Sequence, residues 1–347
     1  MQIRFVSMLI LLNMTLSTPA LSDGLGARLY DQHCSACHGM TGEGGTGVPL
    51  ALEDFQRQVT DDFLSKTIRH GRPGRVMPAF RQLSDAEITA IVQHIRSFTN
   101  VQGASESAAA IRGNPQHGKQ LFAQHCAACH GENGKGGKGT GVTFSRPRDL
   151  PILAPALNNS GFLASASDQM IKRTLMQGRK GTPMTSFLDK GLKESDINDI
   201  VSYIRSLEKT RTKPTAPAAE PLTITYESGE PLEVVIENIK RAAQGKNFRL
   251  IRVQTLDDGF VEKDKESNKE VIIYFCNFEF LNEALAVDSR VGMFLPCRVT
   301  VYERDGKTFV TSINPKRLSS LFNNNELDRL CDQMYQMYNE ILEESTL

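Results

Sequence analysis

The sequence has no tryptophan and no excess of charge, since its 347 residues carry 40 Lys and Arg against 40 Asp and Glu. With 40% hydrophobic residues, this composition excludes a disordered or collagen-like chain, and the balanced charge argues against a nucleic-acid-binding protein of high pI. The length predicts two or three domains. The balance hides an asymmetry, because residues 222–347 hold about 21 acidic and about 15 basic side chains. The two oppositely charged parts therefore face each other or face different partners.

Long apolar segments are also lacking, apart from one at the N-terminus. Arg4 is followed by an apolar run over residues 5–16 and by small residues up to Ser22. This pattern predicts a secretory signal peptide over residues 1–22, with an uncleaved membrane anchor as the alternative. The run is shorter than the ~20 residues that a membrane helix needs. We expect the mature protein to begin near Asp23 and to be soluble in the periplasm, where free thiols are oxidised.

The strongest organisational feature is an internal repeat. Residues 26–39 return as residues 118–131, and residues 83–98 return as residues 192–207. The second copy is longer, mostly within residues 134–153. In both copies, polar N-capping residues precede apolar residues at helical spacing, which predicts that each unit ends in an amphipathic helix.

Two linker-like stretches separate the units from each other and from the rest of the chain. Residues 101–113 are rich in Gly, Ser and Ala, and residues 209–221 hold three prolines that favour an extended linker. The predicted fold is multidomain, with two all-α domains followed by one α+β domain. The predicted limits are a signal peptide over 1–22, domains over 23–100 and 114–208, linkers over 101–113 and 209–221, and an α+β domain over 222–347.

The α+β domain is predicted from a change to alternating apolar and polar residues. The charge run over residues 262–270 indicates a solvent-exposed hairpin loop. Strands are expected near residues 222–227, 248–255, 271–275, 298–303 and 308–313, and helices near residues 232–243, 279–286 and 327–344.

Each repeat unit contains the sequence Cys-x-x-Cys-His, the signature of c-type haem attachment, in which two thiols bond the porphyrin and the adjacent His ligates iron. Thiols three residues apart lie on one face of a helix, from which the next side chain can reach the iron. A thioredoxin-like redox pair or half a zinc site does not explain the adjacent His, the repetition or the export signal. The residues are Cys34, Cys37 and His38 in the first unit and Cys126, Cys129 and His130 in the second.

A second axial ligand to each iron is expected from a methionine. Met77 and Met184 lie in loops rich in Gly, Pro and polar residues, a few residues before the terminal helix of each unit. A Met in such a loop has little apolar helix face to fill, which favours iron ligation over packing. Met170 and Met176 are rivals to Met184, but they lie in a predicted helical segment and are expected in the core.

On these residues each unit resembles a class I cytochrome c domain, and the pair resembles the tandem dihaem cytochromes of the cytochrome c4 family over about residues 25–207. The resemblance implies two covalently attached haem c groups, each with one His and one Met on its iron. It also implies that a Pro carbonyl accepts the N–H of each iron-ligating His, and Pro49 and Pro155 occupy the matching places. His/Met ligation leaves no open iron position, so one-electron relay is expected rather than substrate binding.

Basic side chains border both Met loops, where the haem edge usually emerges. They are expected either to steer an acidic partner or to be ordinary solvated cations. The residues are Arg72, Arg75, Arg179 and Lys180.

The third domain has three cysteines and no histidine. Around Cys276 and Cys297 it resembles the family catalogued as domain of unknown function 302, over residues 222–347, which implies a compact α+β fold that tends to self-associate. Three interpretations of this pair stay open: a structural disulfide, buried apolar thiols, or a reactive or metal-binding pair that receives electrons from the haems or carries sulfur. Cys331 lies among apolar residues at helical spacing and is expected to be buried.

The sequence therefore predicts an exported dihaem c-type cytochrome that passes electrons between protein partners, such as a periplasmic dehydrogenase and a membrane-bound oxidase. Its C-terminal domain is expected to serve in docking or in homodimer formation, and neither a catalytic residue nor a nucleic-acid partner is predicted. Two alternatives stay open: a redox enzyme acting on a small compound such as a sulfur compound, and an electron-transfer subunit of a dehydrogenase or oxidase.

Overall fold

A computed structural model describes residues 20–45, 47–105, 109–136, 154–180, 182–208 and 221–347. The predicted signal peptide up to residue 19, nearly all of the second linker and most of the insertion within residues 134–153 lie outside the described residues. No helix in the described part of the chain combines the length and the apolar character that crossing a membrane requires.

The first unit is helical throughout its regular structure. Its terminal helix begins at a capping box, in which the Glu87 N–H donates to the Ser84 hydroxyl oxygen and the Ser84 N–H donates to the Glu87 carboxylate. Thr60 caps the preceding helix by accepting a hydrogen bond from the Phe63 N–H. The helices are α1 (Ala20–His33), α2 (Ser35–His38), α3 (Glu53–Gln58), α4 (Asp61–His70) and α5 (Asp85–Arg96).

The second unit repeats this arrangement. Asn114 caps its first helix and Ser167 caps the helix that corresponds to α4, in both cases through a side-chain oxygen that accepts backbone N–H groups. The helices are α6 (Pro115–His125), α7 (Ala127–His130), α8 (Ser160–Ser165), α9 (Asp168–Gln177) and α10 (Glu194–Ser206).

In each unit the first long helix crosses the last at a glycine. A Cβ on Gly26 of α1 would overlap the backbone carbonyl of Ala90 in α5, and a Cβ on Gly118 of α6 would overlap that of Asp199 in α10. Glycine therefore lets the two helices of each pair approach closely. The buried apolar faces of α5 and α10 complete one core that is continuous across both units, which confirms the predicted amphipathic terminal helices.

The third domain, all of it within the described residues, is a five-stranded antiparallel sheet in the order β1-β5-β4-β3-β2 with helices packed against it. The strands are β1 (Thr223–Ser228), β2 (Arg249–Thr255), β3 (Glu270–Cys276), β4 (Cys297–Arg304) and β5 (Lys307–Ile313). The helices are α11 (Leu232–Gly245), α12 (Phe278–Val287), α13 (Arg317–Leu321) and α14 (Asp328–Thr346). Each predicted strand and helix of this domain is present, and α13 is an element that the sequence pattern did not reveal.

One face of the sheet packs against α11 and α14. Along β3, Val271, Ile273 and Phe275 are buried, as the period of two in a half-covered strand requires. They share a core with Ile239 of α11 and Ile341 of α14. The prediction of two all-α units followed by one α+β unit is thereby confirmed.

Candidate haem-binding sites

The two Cys-x-x-Cys-His segments have the same local structure. The long helix before each segment stops at the first cysteine, and a one-turn helix then carries the rest of the motif. The His38 N–H donates to the Cys34 carbonyl at 2.9 Å, and the His130 N–H donates to the Cys126 carbonyl at 2.8 Å. The two thiols and the imidazole of each motif therefore share one helical turn rather than a face of one continuous helix.

Within each motif the first thiol is buried and the second is more exposed. Cys34 and Cys126 are buried, whereas Cys37 is half-buried and Cys129 is exposed. Burial raises the pKa of the Cys34 and Cys126 thiols to about 12. A thioredoxin-like pair depends on a thiolate with a lowered pKa, so the geometry disfavours that interpretation.

Each motif histidine is held by a backbone carbonyl. His130 Nδ1 lies 2.9 Å from the Pro155 carbonyl oxygen, as predicted, whereas His38 Nδ1 lies 2.8 Å from the carbonyl oxygen of Val48. The prediction of Pro49 as the acceptor is wrong by one residue, because the loop presents the carbonyl before the proline. Since a carbonyl only accepts, Nδ1 carries the proton in both rings and Nε2 keeps its lone pair. Burial also lowers the pKa of both rings, which favours the neutral form that a metal ligand needs.

A glycine lies against the face of the first histidine, and this contact gives a testable prediction. A Cβ on Gly47 would lie 2.6 Å from both Cε1 and Nδ1 of His38. We expect Gly47→Ala to displace the ring, break its bond to Val48 and leave about one low-spin haem per chain instead of two, measured by the absorption spectrum against total haem. Gly229→Ala, where nothing lies within 4 Å of the new methyl group, is the matched control. Two unchanged low-spin haems in Gly47→Ala would contradict the placement of this ring.

The Met77 loop (residues 71–80) and the Met184 loop (residues 178–187) are built alike. Each follows a helix that ends at a glycine with positive φ, 59° at Gly71 and 70° at Gly178. The next N–H then donates to the Met carbonyl, at 2.9 Å from Arg72 to Met77 and at 2.6 Å from Arg179 to Met184.

This equivalence pairs Met184 with Met77 and leaves the two rival methionines in other roles. Met170 of α9 is 3% exposed and lies in the core, and Met176 of the same helix packs against that core. Met184 is half-buried in its loop, as Met77 is. The shared backbone construction thus favours Met184 over its rivals.

Both Met loops lie where the two helical units meet. The Asn159 side-chain amide of the second unit donates to the Pro73 carbonyl at 2.9 Å, and the Gln58 side-chain amide of the first donates to the Gly178 carbonyl at 3.2 Å. Arg72 lies between the rings of Phe63 and Phe162, 5.7 and 5.9 Å from their centroids. Each unit therefore supports the Met loop of the other.

The Met77 loop also contacts the third domain through the Asn323 segment (residues 323–326). The Asn323 side-chain amide donates to the Arg72 carbonyl at 3.0 Å and to the Met77 carbonyl at 2.8 Å, and its Oδ1 accepts from the Gly74 N–H at 2.8 Å. The Asn323 backbone carbonyl accepts the Val76 N–H at 2.6 Å. The polypeptide from Arg72 to Met77 is thus fixed by one residue about 250 residues away in sequence.

Further contacts extend this junction. The Asn325 N–H donates to the Gly74 carbonyl at 3.0 Å, and Arg75 forms an ion pair with Glu326. Val76 adopts a φ of 58°, a conformation that a β-branched residue rarely takes. The two oppositely charged parts of the chain therefore face each other at this point.

Of the two interpretations left open for the basic residues around the Met loops, partner steering or ordinary solvated cations, neither fits Arg72 or Arg75. Arg75 pairs with Glu326, and burial between two aromatic rings lowers the pKa of Arg72 to about 10. Lys180 is exposed and stays available for a partner. The sequence reasoning missed Asn323, although the run of three asparagines at 323–325 is a turn signal that points to a special loop.

The cysteines of the third domain are free thiols in the structure, and all three lie in described residues. Cys276 ends β3 and Cys297 begins β4, and the two thiols interact with each other and with Tyr338. Cys331 is buried in α14, as expected, and burial raises its pKa to about 11.

The residues around each motif fit a haem c group. Two thiols at the spacing of the attachment motif, a neutral imidazole with its Nε2 lone pair available and a thioether in a fixed loop form the donor set of a His/Met cytochrome. Among the residues that the structure describes, none forms a polar contact with these side chains that would prevent this use, apart from the Nδ1 bonds that orient the rings.

Three family models match the chain in succession. The model "Cytochrome C oxidase, cbb3-type, subunit III" matches residues 24–95, the model "Cytochrome c" matches residues 115–208, and the model "Domain of unknown function DUF302" matches residues 224–345.

Individual proteins show the same similarity. The chain is 27% identical over 197 residues to the "Cbb3-type cytochrome c oxidase subunit CcoP" of Azospirillum sp. (strain B510), covering 52% of this chain and 61% of that protein. It is 30% identical over 200 residues to the protein of the same name from Rhodobacter capsulatus, with the same two coverages. The chain thus spans about three fifths of the length of the curated relatives it matches. Among solved structures, the "uncharacterized conserved protein DUF302 from Bacillus stearothermophilus" is 20% identical, with a TM-score of 0.34, over 36% of this chain and 99% of that chain.

Proposed function

Because the chain contains two cytochrome c domains, each with a covalently bound haem c, followed by a DUF302 domain, we propose that it relays electrons one at a time between redox proteins. The first haem is attached through Cys34 and Cys37, and the second through Cys126 and Cys129. When bound, each haem supplies an iron that changes between the ferric and ferrous states by one electron.

Residues of the protein would fill the coordination positions of each iron. His38 and His130 would supply Nε2, since their Nδ1 atoms are fixed by the Val48 and Pro155 carbonyls. Met77 and Met184 would supply the second ligand, in loops whose backbones are fixed by hydrogen bonds to the Met carbonyls. An iron with two such ligands has no position for a substrate.

The observation that carries the proposal is the placement of both Met loops at the junction of the two helical units. The loops are bridged by Asn159 to Pro73 and by Gln58 to Gly178. Because the two Met loops lie at one junction, the two haems would lie near each other. This arrangement suits electron transfer within the chain. Ligand sets fixed by backbone hydrogen bonds also reduce the reorganisation that accompanies each electron.

The C-terminal domain packs against the first cytochrome c domain of the same chain. The Asn323 segment fixes the Met77 loop, so this domain supports the first haem ligand. Its edge strand β2 exposes Leu250, Ile251 and Val253, and an exposed apolar edge supports homodimer formation through this strand.

The cytochrome c domains indicate an extracytoplasmic location. We propose the periplasm, with the signal peptide over residues 1–22 removed. The partners are a protein electron donor and a protein acceptor, with exposed Lys180 at the rim of the Met184 loop available to an acidic surface.

The absorption spectrum of the oxidised, haem-loaded protein tests this function. We expect two haems per chain, both low-spin, with the far-red band of iron–thioether coordination at full intensity and unchanged by added cyanide. A high-spin fraction that binds cyanide or sulfite would mean an open iron, and would replace the relay by an enzyme acting on a small compound.

A second candidate function is that of an electron-transfer subunit within a larger oxidase. The similarity of the chain to subunits of cbb3-type cytochrome c oxidase favours it. Co-purification of a catalytic subunit with the full-length chain would support this candidate, and a monodisperse free chain would favour the independent carrier.

A further inference from the structure

The third domain holds a pair of thiols that the haem sites do not use. In the antiparallel pair of β3 and β4, Phe275 lies opposite Cys297, so Cys276 is the next residue along the neighbouring strand. Cys276 is 2% exposed, and Cys297 is half-buried at the edge of the core beneath α14. By residue, Cys276 is therefore the more enclosed of the two and Cys297 the more exposed.

The surroundings of the pair differentiate the two sulfurs. The Cys276 thiol and the Tyr338 hydroxyl both lie beside the Cys297 sulfur. The interaction with Cys276 lowers the pKa of Cys297 despite the opposing effect of burial, and the same interaction raises the pKa of Cys276. In thiol–disulfide exchange the sulfur with the lower pKa is the better leaving group.

We propose that Cys276 and Cys297 form a reversible dithiol/disulfide couple, with Cys297 as the sulfur that exchanges with an external thiol and Cys276 as its partner in the disulfide. The substrate class is a small or protein-borne dithiol. A substrate thiolate attacks the Cys297 sulfur of the disulfide, and the Cys276 sulfur leaves as a thiolate that takes up a proton. The second substrate thiolate then attacks the substrate sulfur of the mixed disulfide and the Cys297 sulfur leaves, so that the substrate departs as a disulfide and the pair becomes a dithiol.

Return of the pair to the disulfide breaks two S–H bonds, forms one S–S bond and releases two protons and two electrons. The chain's two haems are acceptors for one electron each, so this part of the inference rests on the proposed function. Electrons are expected to flow toward the haems, because His/Met ligation raises the haem potential whereas dithiols are reducing. The pair is thereby assigned as an entry point for electrons.

The fold connects this site to the first haem domain. α14 begins two residues after Glu326, which pairs with Arg75 beside the Met77 loop, and the same helix carries Tyr338. At a rise of about 1.5 Å per residue, Tyr338 lies roughly 15 Å along α14 from its first residue, Asp328. One rigid element thus joins the thiol pair to the loop of the proposed iron ligand.

The first test measures the thiols themselves in the full-length haem-loaded protein, where the haem-bonded cysteines do not react with alkylating agents. The protein is equilibrated in glutathione buffers of graded poise, alkylated and analysed by mass spectrometry. We expect two thiols per chain to change reversibly across this series, and we expect Cys276→Ser and Cys297→Ser to abolish the transition while Cys331→Ala leaves it intact. A pair that stays oxidised in every buffer would be a structural disulfide and would overturn the proposal, as would thiols that never oxidise.

The second test measures transfer to the haems. Fully reduced protein, freed of reductant under anaerobic conditions, receives two equivalents of ferricyanide, and the haem spectrum is followed with time. We expect the ferrous spectrum to return as two alkylatable thiols disappear, and we expect no return in Cys297→Ser. Haems that stay ferric beside intact thiols would overturn the electron link. Haem content and cyanide binding are measured on the same samples. If the thiol pair titrates but an iron binds cyanide, the proposed relay function fails while the dithiol/disulfide couple stands.

Discussion

A Met77→Leu variant is expected to keep both haems but to lose half of the far-red thioether band, because one of two iron–sulfur bonds is removed while the side-chain volume is retained. The potential of that haem should fall by a substantial share of the ~0.8 V range that axial ligands set, since Met raises the potential relative to other ligands. Met184→Leu should remove the other half of the band, and the double variant should remove all of it. Spectroelectrochemical titration gives both quantities in one experiment.

Met170→Leu is the matched control for Met184→Leu, because Met170 is 3% exposed in the core of the second unit. It should leave the band and both potentials unchanged. If Met184→Leu kept the full band and Met176→Leu lost half of it, the assignment of the second ligand would move from the loop to α9.

An Asn323→Ala variant is expected to loosen the first haem ligand although Asn323 belongs to another domain. It removes three side-chain hydrogen bonds to the Met77 loop, and at about 1 kcal/mol each the loss amounts to about 3 kcal/mol. The Val76 conformation at φ 58° loses its support as well. Because 1.4 kcal/mol is a factor of ten, the population with Met77 dissociated should rise by up to about 100-fold, seen as faster cyanide binding at one haem.

Asn247→Ala provides the control for this experiment. Asn247 has nearly the same positive φ, 61° against 51° for Asn323, and lies exposed in a turn of the same domain. Both variants therefore carry the free-energy cost of placing alanine at a positive φ. Only Asn323→Ala should alter cyanide binding. Equal rates in the two variants would show that the C-terminal domain does not hold the Met77 loop.

These contacts give the C-terminal domain a role within the chain. The domain holds the loop of the proposed iron ligand Met77 and carries the proposed redox pair beside Tyr338 of α14, so one helix would link the two sites. The two loops also differ: in the described residues, the interdomain bonds of the Asn323 segment go to the Met77 loop, whereas in the Met184 loop the Thr182 hydroxyl accepts the Met184 N–H. The first haem is therefore the one whose properties the third domain can alter.

The sequence by itself determined the local chemistry. Cys-x-x-Cys-His fixes its geometry within one helical turn, and the positions of Met77 and Met184 follow from loops that end at a terminal helix. The strands of the third domain were also readable, because a period of two appears wherever one face of a sheet is covered. Each of these features depends on residues close together in the chain.

Only the tertiary structure decided which groups meet across long separations. The acceptor for His38 is Val48 rather than Pro49 because turn geometry, to which residue type is a weak guide, selects the carbonyl. Arg72 and Arg75 suggested a partner surface, yet their neighbours are Phe162 and Glu326, and Asn323 reaches Met77 across 246 residues. A charged or amide side chain looks the same in the sequence whether it contacts solvent, a partner protein or another domain. Only the packing of the folded chain decides which of these it contacts.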